Sequence, residues 1–123
     1  MKIRIKGNSV RLRLSKSEIE LFGKEGYLEE KTEFVNSSFR YAIQELFDGT
    51  TLDASFTEQK LTVFVPNAVM QEWVDTDVVG YSQYLPIADG KTLFLLIEKD
   101  YKCIDGDESE DQSDYYENPV KTC

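Results

Sequence analysis

Histidine is absent from this chain, and its absence removes much of the familiar hydrolytic chemistry. Serine and cysteine triads that use an imidazole base are excluded, as are all zinc sites that need a histidine ligand. Cysteine occurs twice, at Cys103 and Cys123. Two thiols without histidine make half a zinc site, so a soft-metal clasp or a disulfide between them is open, and two thiols are the expectation in a reducing compartment. No apolar run approaches the roughly 20 residues that span a bilayer. The chain starts directly in an alternating charged stretch with no signal-like apolar core, so secretion is not expected and the cytoplasm is. Positive charge is also scarce. Lys and Arg number 14 against 23 Asp and Glu, for a net charge of −9, which argues against a general nucleic-acid binder.

The little positive charge there is lies at one end. Residues 1–16 hold six basic residues and no acidic one, whereas residues 101–123 hold seven acidic residues against two lysines. At 123 residues the length suits one core. The expected organisation is one domain over 1–104 followed by an acidic tail over 105–123. The tail runs Asp105 to Asp114 and then Tyr115-Tyr116-Glu117-Asn118-Pro119. A dense acidic run with few apolar residues predicts flexibility, and its spacing is not that of an EF-hand loop.

The first fourteen residues predict a β-hairpin. Lys2 to Lys6 and Ser9 to Leu14 both alternate apolar and polar residues with period two. Gly7-Asn8 between them suits a two-residue type II′ turn, because glycine supplies the positive φ at the first central position. This register sets Ile5 opposite Val10 and Ile3 opposite Leu12 on one side. Arg4 then faces Arg11, and Lys2 faces Arg13, on the other. Like charges directly opposite one another destabilise a sheet, so an anionic group is expected to answer them.

Ser15-Lys16-Ser17-Glu18 is a capping box, and Gly26 is a natural stop, so a helix is expected over about 16–25 with Ile19 and Phe22 on its apolar stripe. Strands follow over 27–35 and 39–43. Asp48-Gly49 makes a turn into strands over 52–56 and 60–65. Pro66-Asn67 opens a second helix carrying Val69, Met70, Trp73 and Val74, since proline is tolerated where the first N–H groups have no intrahelical partner. A weaker strand over 78–85 and an Asp89-Gly90 turn lead to Thr92–Ile97. That run is apolar on both faces and reads as a central, fully covered strand.

Strand, strand, helix, strand, strand thus occurs twice. A shift of 51 positions sets Val10 on Leu61, Leu12 on Val63, Leu14 on Val65, Ile19 on Met70 and Phe22 on Trp73. An internal repeat of 1–47 in 52–100 is therefore expected, with a wider loop at Glu58-Gln59, a poor two-residue turn. Positions matching Lys2, Arg4, Arg11 and Arg13 are Asp53, Ser55, Thr62 and Phe64, so the basic face belongs to the first half alone. The fold class expected is α+β, mainly antiparallel. Two ββαββ units would form packed sheets or an eight-stranded barrel with two short helices, and Phe22, Phe39, Tyr41, Phe56, Trp73 and Phe94 would fill the core.

Two surfaces are candidates for chemistry. Lys2, Arg4, Lys6, Arg11 and Arg13 form an anion-site candidate for a phosphate-rich small molecule or an acidic protein surface, since guanidinium offers a fork of donors to phosphate oxygens. Glu98 and Asp100, sharing a face with Lys102, are candidates either to hold Mg²⁺ or Mn²⁺ or to neutralise the arginines. Together Arg11-Leu12-Arg13 and Glu98-x-Asp100-x-Lys102 resemble the triphosphate tunnel enzymes, which have an eight-stranded antiparallel tunnel, basic residues for polyphosphate and an acidic E-x-E-x-K strand for the metal. Here the acidic motif stands on the last strand rather than the first. That resemblance implies a metal-dependent phosphohydrolase.

End to end, the chain is similar to a family of small uncharacterised bacterial proteins. These begin M-K-I-R-I-x-G-N-S-x-R-L-R-L and finish with E-K-D-[aromatic]-x-C ahead of an acidic E-D…D…N-P tail. Met1 to Leu14, Glu98 to Cys103, Glu110-Asp111, Asp114 and Asn118-Pro119 carry the likeness. It implies a bacterial cytosolic protein whose tail belongs to the domain, and it implies no activity. The expected function is a small binding or regulatory module using the basic hairpin face for an anionic ligand or acidic partner, with enzymatic activity left open. The alternatives are the phosphohydrolase and a protein–protein module whose charges are purely structural.

Overall fold

The computed structural model describes residues 1–101. Lys102, Cys103, Cys123 and the acidic stretch from Asp105 onward lie outside the described residues. Eight strands and two α-helices follow in the order β1 (Lys2–Lys6), β2 (Ser9–Leu14), α1 (Lys16–Glu25), β3 (Tyr27–Glu33), β4 (Ser38–Leu46), β5 (Asp53–Thr57), β6 (Lys60–Pro66), α2 (Asn67–Asp75), β7 (Gly80–Pro86) and β8 (Thr92–Lys99). A single 3₁₀ turn, Ala88–Gly90, precedes β8.

Local chemistry explains most of these boundaries. Gly7 has φ 55°, the one positive φ that a type II′ turn requires, and the hairpin pairs Lys2 with Arg13, Ile3 with Leu12, Arg4 with Arg11 and Ile5 with Val10. Helix α1 starts at a full capping box. The Ser15 hydroxyl accepts from Glu18 N–H, and Glu18 Oε1 accepts from Ser15 N–H at 2.8 Å. It ends at Gly26, whose φ of 75° lets its N–H reach the Phe22 carbonyl at 2.7 Å. Helix α2 follows Pro66, which lacks a capping side chain. Asn67 at its first position donates instead to Glu45 Oε2 at 2.9 Å.

The strands form two four-stranded sheets, ordered β1-β2-β8-β7 and β3-β4-β6-β5. Each takes its strands from both halves of the chain, and neither closes on the other, so the barrel alternative is corrected to two open sheets. The outer pairs are antiparallel, whereas the central pairs β2–β8 and β4–β6 run parallel. Parallel neighbours need a long connection between them, and the interleaving of the two halves supplies it. The pairing follows one scheme in both sheets. Val10 lies against Leu95 and Leu14 against Lys99 in the first; Leu61 lies against Tyr41 and Val65 against Glu45 in the second.

One core joins both sheets and both helices. Leu12, Leu14, Phe22, Ile43, Val63, Val65, Trp73, Leu95 and Ile97 are fully buried. Phe22 and Trp73 meet edge to face at 6.4 Å, and the indole N–H of Trp73 donates to the Val79 carbonyl at 3.0 Å. Burying a large aromatic contributes on the order of 3 kcal/mol.

Three expectations are corrected here. Phe56 is 62% exposed at the end of β5 rather than in the core. Phe94 is half-buried on the outer side of its sheet, paired with Ser9 and Tyr84, so β8 is central but not covered on both faces. No wider loop intervenes at Glu58-Gln59: the two residues alone join β5 to β6, with φ 50° and 64°. Two successive positive φ values are the type I′ pattern.

Candidate functional site

The outer side of the β1-β2-β8-β7 sheet is a grid fixed by register. Residues paired across strands share a face, so three rows follow: Lys2–Arg13–Glu98–Gly80, Arg4–Arg11–Leu96–Ser82, and Lys6–Ser9–Phe94–Tyr84. Ile3, Val10, Leu12, Leu95 and Ile97 point the other way, into the core. All five sequence-predicted basic residues are thus brought onto one side of one sheet. Glu98 joins the same grid, and Asp100 follows just past the end of β8.

The two carboxylates are held by the basic residues. Glu98 Oε1 accepts from Arg13 Nε at 2.9 Å and lies 2.7 Å from Nη2, with Arg11 Nε at 4.0 Å. Asp100 Oδ2 lies 2.9 Å from Lys2 Nζ, and its N–H is fixed by the Leu14 carbonyl at 2.8 Å. Charge-assisted bonds of this kind are about twice as strong as neutral ones. Among the described residues the face carries five cationic side chains and these two carboxylates. Glu98 and Asp100 therefore sit as counter-charges in the grid, and Lys102, the third member of the acidic motif, lies outside the described residues. Among the described residues, no group of three or more His, Cys, Asp or Glu could hold a metal ion.

Gly80 is a requirement of the site. A Cβ there would lie 2.2 Å from the Ile97 carbonyl oxygen and 2.9 Å from Glu98 Cα. Beside the basic rows stands an apolar strip that sequence reasoning missed: Leu96, Phe94 and Tyr84, with the two rings 4.8 Å apart and Tyr84 65% exposed. Phe94, Leu96 and Glu98 are in phase along β8. That signal was present, but the apolar residues on both sides of the strand concealed it.

The outer side of the β3-β4-β6-β5 sheet is the natural comparison. Its register gathers Lys31, Arg40 and Lys60 with Glu29, Glu33 and Asp53, three of each sign. Lys60 Nζ lies 2.9 Å from Glu29 Oε1 and 4.9 Å from the centre of the Tyr27 ring, and it bonds the Tyr27 hydroxyl. Tyr27 O–H donates to Glu29 at 2.5 Å. Hydrogen bonds from Tyr27 and Lys60 hold the Glu29 carboxyl below its usual range, and the Tyr27 and Glu29 bonds raise Lys60. Lys31 pairs with Glu33 at 3.0 Å.

A third cluster ties the sheets together. The Met1 ammonium meets Glu18 and, at 3.3 Å, Glu30, while Tyr41 O–H donates to the Met1 carbonyl at 2.9 Å. Burial opposes ionisation of Glu18, but bonds from the ammonium and from Ser15 outweigh it, and its pKa falls.

The model of a family described as a family of unknown function, DUF7009, matches residues 1–120, and the chain belongs to that family. No curated protein and no solved structure matches it. No helix among the described residues is long and apolar enough to cross a membrane.

Proposed function

We propose that the outer face of the β1-β2-β8-β7 sheet is the anion-binding surface of a small cytosolic binding or regulatory module. Its ligand is a phosphate-rich small molecule or an acidic partner segment. The observation that carries this reading is the grid itself: Lys2, Arg4, Lys6, Arg11 and Arg13 share one side of one sheet with two counter-carboxylates. Cross-strand cations cost stability; Glu98 and Asp100 answer Lys2, Arg11 and Arg13, and an anion bound over the face would add to that compensation. The exposed Tyr84 and half-buried Phe94 beside them add an apolar flank suited to a ligand that is not purely ionic.

The same reading takes 1–47 and 52–100 as a duplicated ββαββ unit in which only the first copy carries the basic face. The common pairing scheme of the two sheets supports it, as does the near-neutral comparison face.

The test is calorimetric titration of the full chain with tripolyphosphate at low ionic strength. Arg11→Gln and Lys6→Gln should each weaken binding several-fold, and Lys31→Gln on the comparison face should not. Equal effects on both faces, or no binding, would leave the charges a purely structural or protein-docking role.

A further inference from the structure

We infer that the acidic segment Asp105–Glu117 of this chain docks on the basic outer face of the β1-β2-β8-β7 sheet and competes there with external anions. The inference rests on the anion-binding reading and supplies its regulation. Three observations carry it.

The first is the exit point of the chain. β8 ends at Lys99, Asp100 is clamped by the Leu14 carbonyl and by Lys2, and Tyr101 stands exposed beside them. The chain therefore leaves at the corner of the grid, next to the Lys2–Arg13–Glu98 row. The second is reach. Residues 102–123 follow, and at ~3.3 Å per extended residue they span up to ~70 Å, while four strands ~4.8 Å apart make a face only ~15 Å across. Asp105, four residues past Tyr101, is already within ~13 Å of the corner.

The third is complementarity. Residues 102–123 carry seven carboxylate side chains against two lysines, and the described residues of the face are predominantly basic, Lys2, Lys6, Arg11 and Arg13 standing with Glu98 and Asp100. The comparison face, with three of each sign, offers the segment no net attraction. After the acidic run come Tyr115 and Tyr116, apolar partners in kind for the exposed Tyr84 and half-buried Phe94 beyond the arginines. Tethering raises the local concentration of such a segment to the millimolar range, so weak contacts suffice. The family model, extending to residue 120, includes this segment with the sheets.

The experiment uses the full chain with Cys103→Ser, Cys123→Ser and Ser109→Cys, carrying a nitroxide on the one remaining thiol. At low ionic strength the amide signals of Arg4, Arg11 and Leu96 should lose most of their intensity. Those of Ala42 and Thr62, in the middle of the comparison face, should keep theirs, and high salt should restore the first set. Unbroadened signals on the basic face, or equal broadening of both faces, overturn the inference.

A second measurement separates it from the reading it rests on. Tripolyphosphate is titrated into the native chain and into one with Asp107→Asn, Glu108→Gln, Glu110→Gln and Asp111→Asn. If the segment occupies the face nine-tenths of the time, neutralising it tightens binding about tenfold. Tripolyphosphate that binds both chains equally overturns the competition and leaves the anion site standing. Label broadening without any tripolyphosphate binding overturns the site for external anions and leaves the tail contact standing.

Discussion

Replacing Glu98 by glutamine should destabilise the fold and strengthen anion binding in the same molecule. The side chain keeps its shape and loses its charge. In the native protein Glu98 Oε1 takes the Arg13 guanidinium at 2.9 and 2.7 Å and faces Arg11 Nε at 4.0 Å. Bonds to a charged partner contribute ~1.5–3 kcal/mol, and since Arg13 is 40% exposed solvent screening reduces this to about 1 kcal/mol. Urea unfolding followed by the fluorescence of the single, fully buried Trp73 should show the midpoint falling by about 0.5 M. The anion response has the opposite sign. A ligand charge seated over Arg4 and Arg11 lies ~8 Å from Glu98, where removing one negative charge is worth between ~0.5 and ~2 kcal/mol per ligand charge, depending on the effective dielectric. Tripolyphosphate should therefore bind at least about twofold more tightly at low salt. If Glu98 instead held a metal for phosphate chemistry, the variant would lose metal-dependent binding. Weakened tripolyphosphate binding, or an unchanged unfolding midpoint, would refute the assignment of Glu98 as a counter-charge.

Other consequences follow from single positions. Glu58 and Gln59 hold positive φ without being glycine or asparagine, at a cost of ~1 kcal/mol or more each. Asn-Gly in their place should raise the urea midpoint, with a net gain of about 1 kcal/mol after losing the Ser37–Gln59 hydrogen bond. Gly80→Ala drives a Cβ into the backbone of β8 and should cost ~1–3 kcal/mol, seen as a melting temperature several degrees lower. Glu29 has a carboxyl pKa depressed in the folded state, chiefly by the Tyr27 hydroxyl and then by Lys60. Its contribution is present above the unfolded carboxyl value of about 4.3 and is lost as pH falls through the folded one. Unfolding midpoints of the native chain and Glu29→Gln should thus differ at neutral pH and draw together as pH falls from the unfolded carboxyl value through the lower folded one.

Local signals in the sequence were strong where chemistry within a few residues decides the outcome. Gly7-Asn8 fixed the hairpin register to the residue, and the Ser15–Glu18 box and Gly26 bounded α1 at both ends. The phase of Ile19 with Met70, and of Phe22 with Trp73, picked out the buried helix faces. Long-range pairing left no such mark. Nothing near Val10 announces that it lies beside Leu95, eighty-five residues away, so the parallel centres of both sheets were not legible. The site was half legible for the same reason. The five cations announced themselves by alternation, but their neighbours Leu96, Phe94 and Tyr84 join them only through the β2–β8 pairing. Turn propensity misled at Glu58-Gln59, where strands held by Leu61, Val63 and Ala54 impose a tight turn on residues that disfavour it.

The most direct test of the central claim is an amide chemical-shift titration of the full chain with tripolyphosphate, at low and at physiological salt. The account predicts shifts clustered at residues 2–13 and 94–98, retained in part at physiological salt, with the Lys31, Arg40 and Lys60 face unmoved. Shifts spread over both faces, or abolished by physiological salt, would contradict it and reduce the basic grid to charges answered within the fold.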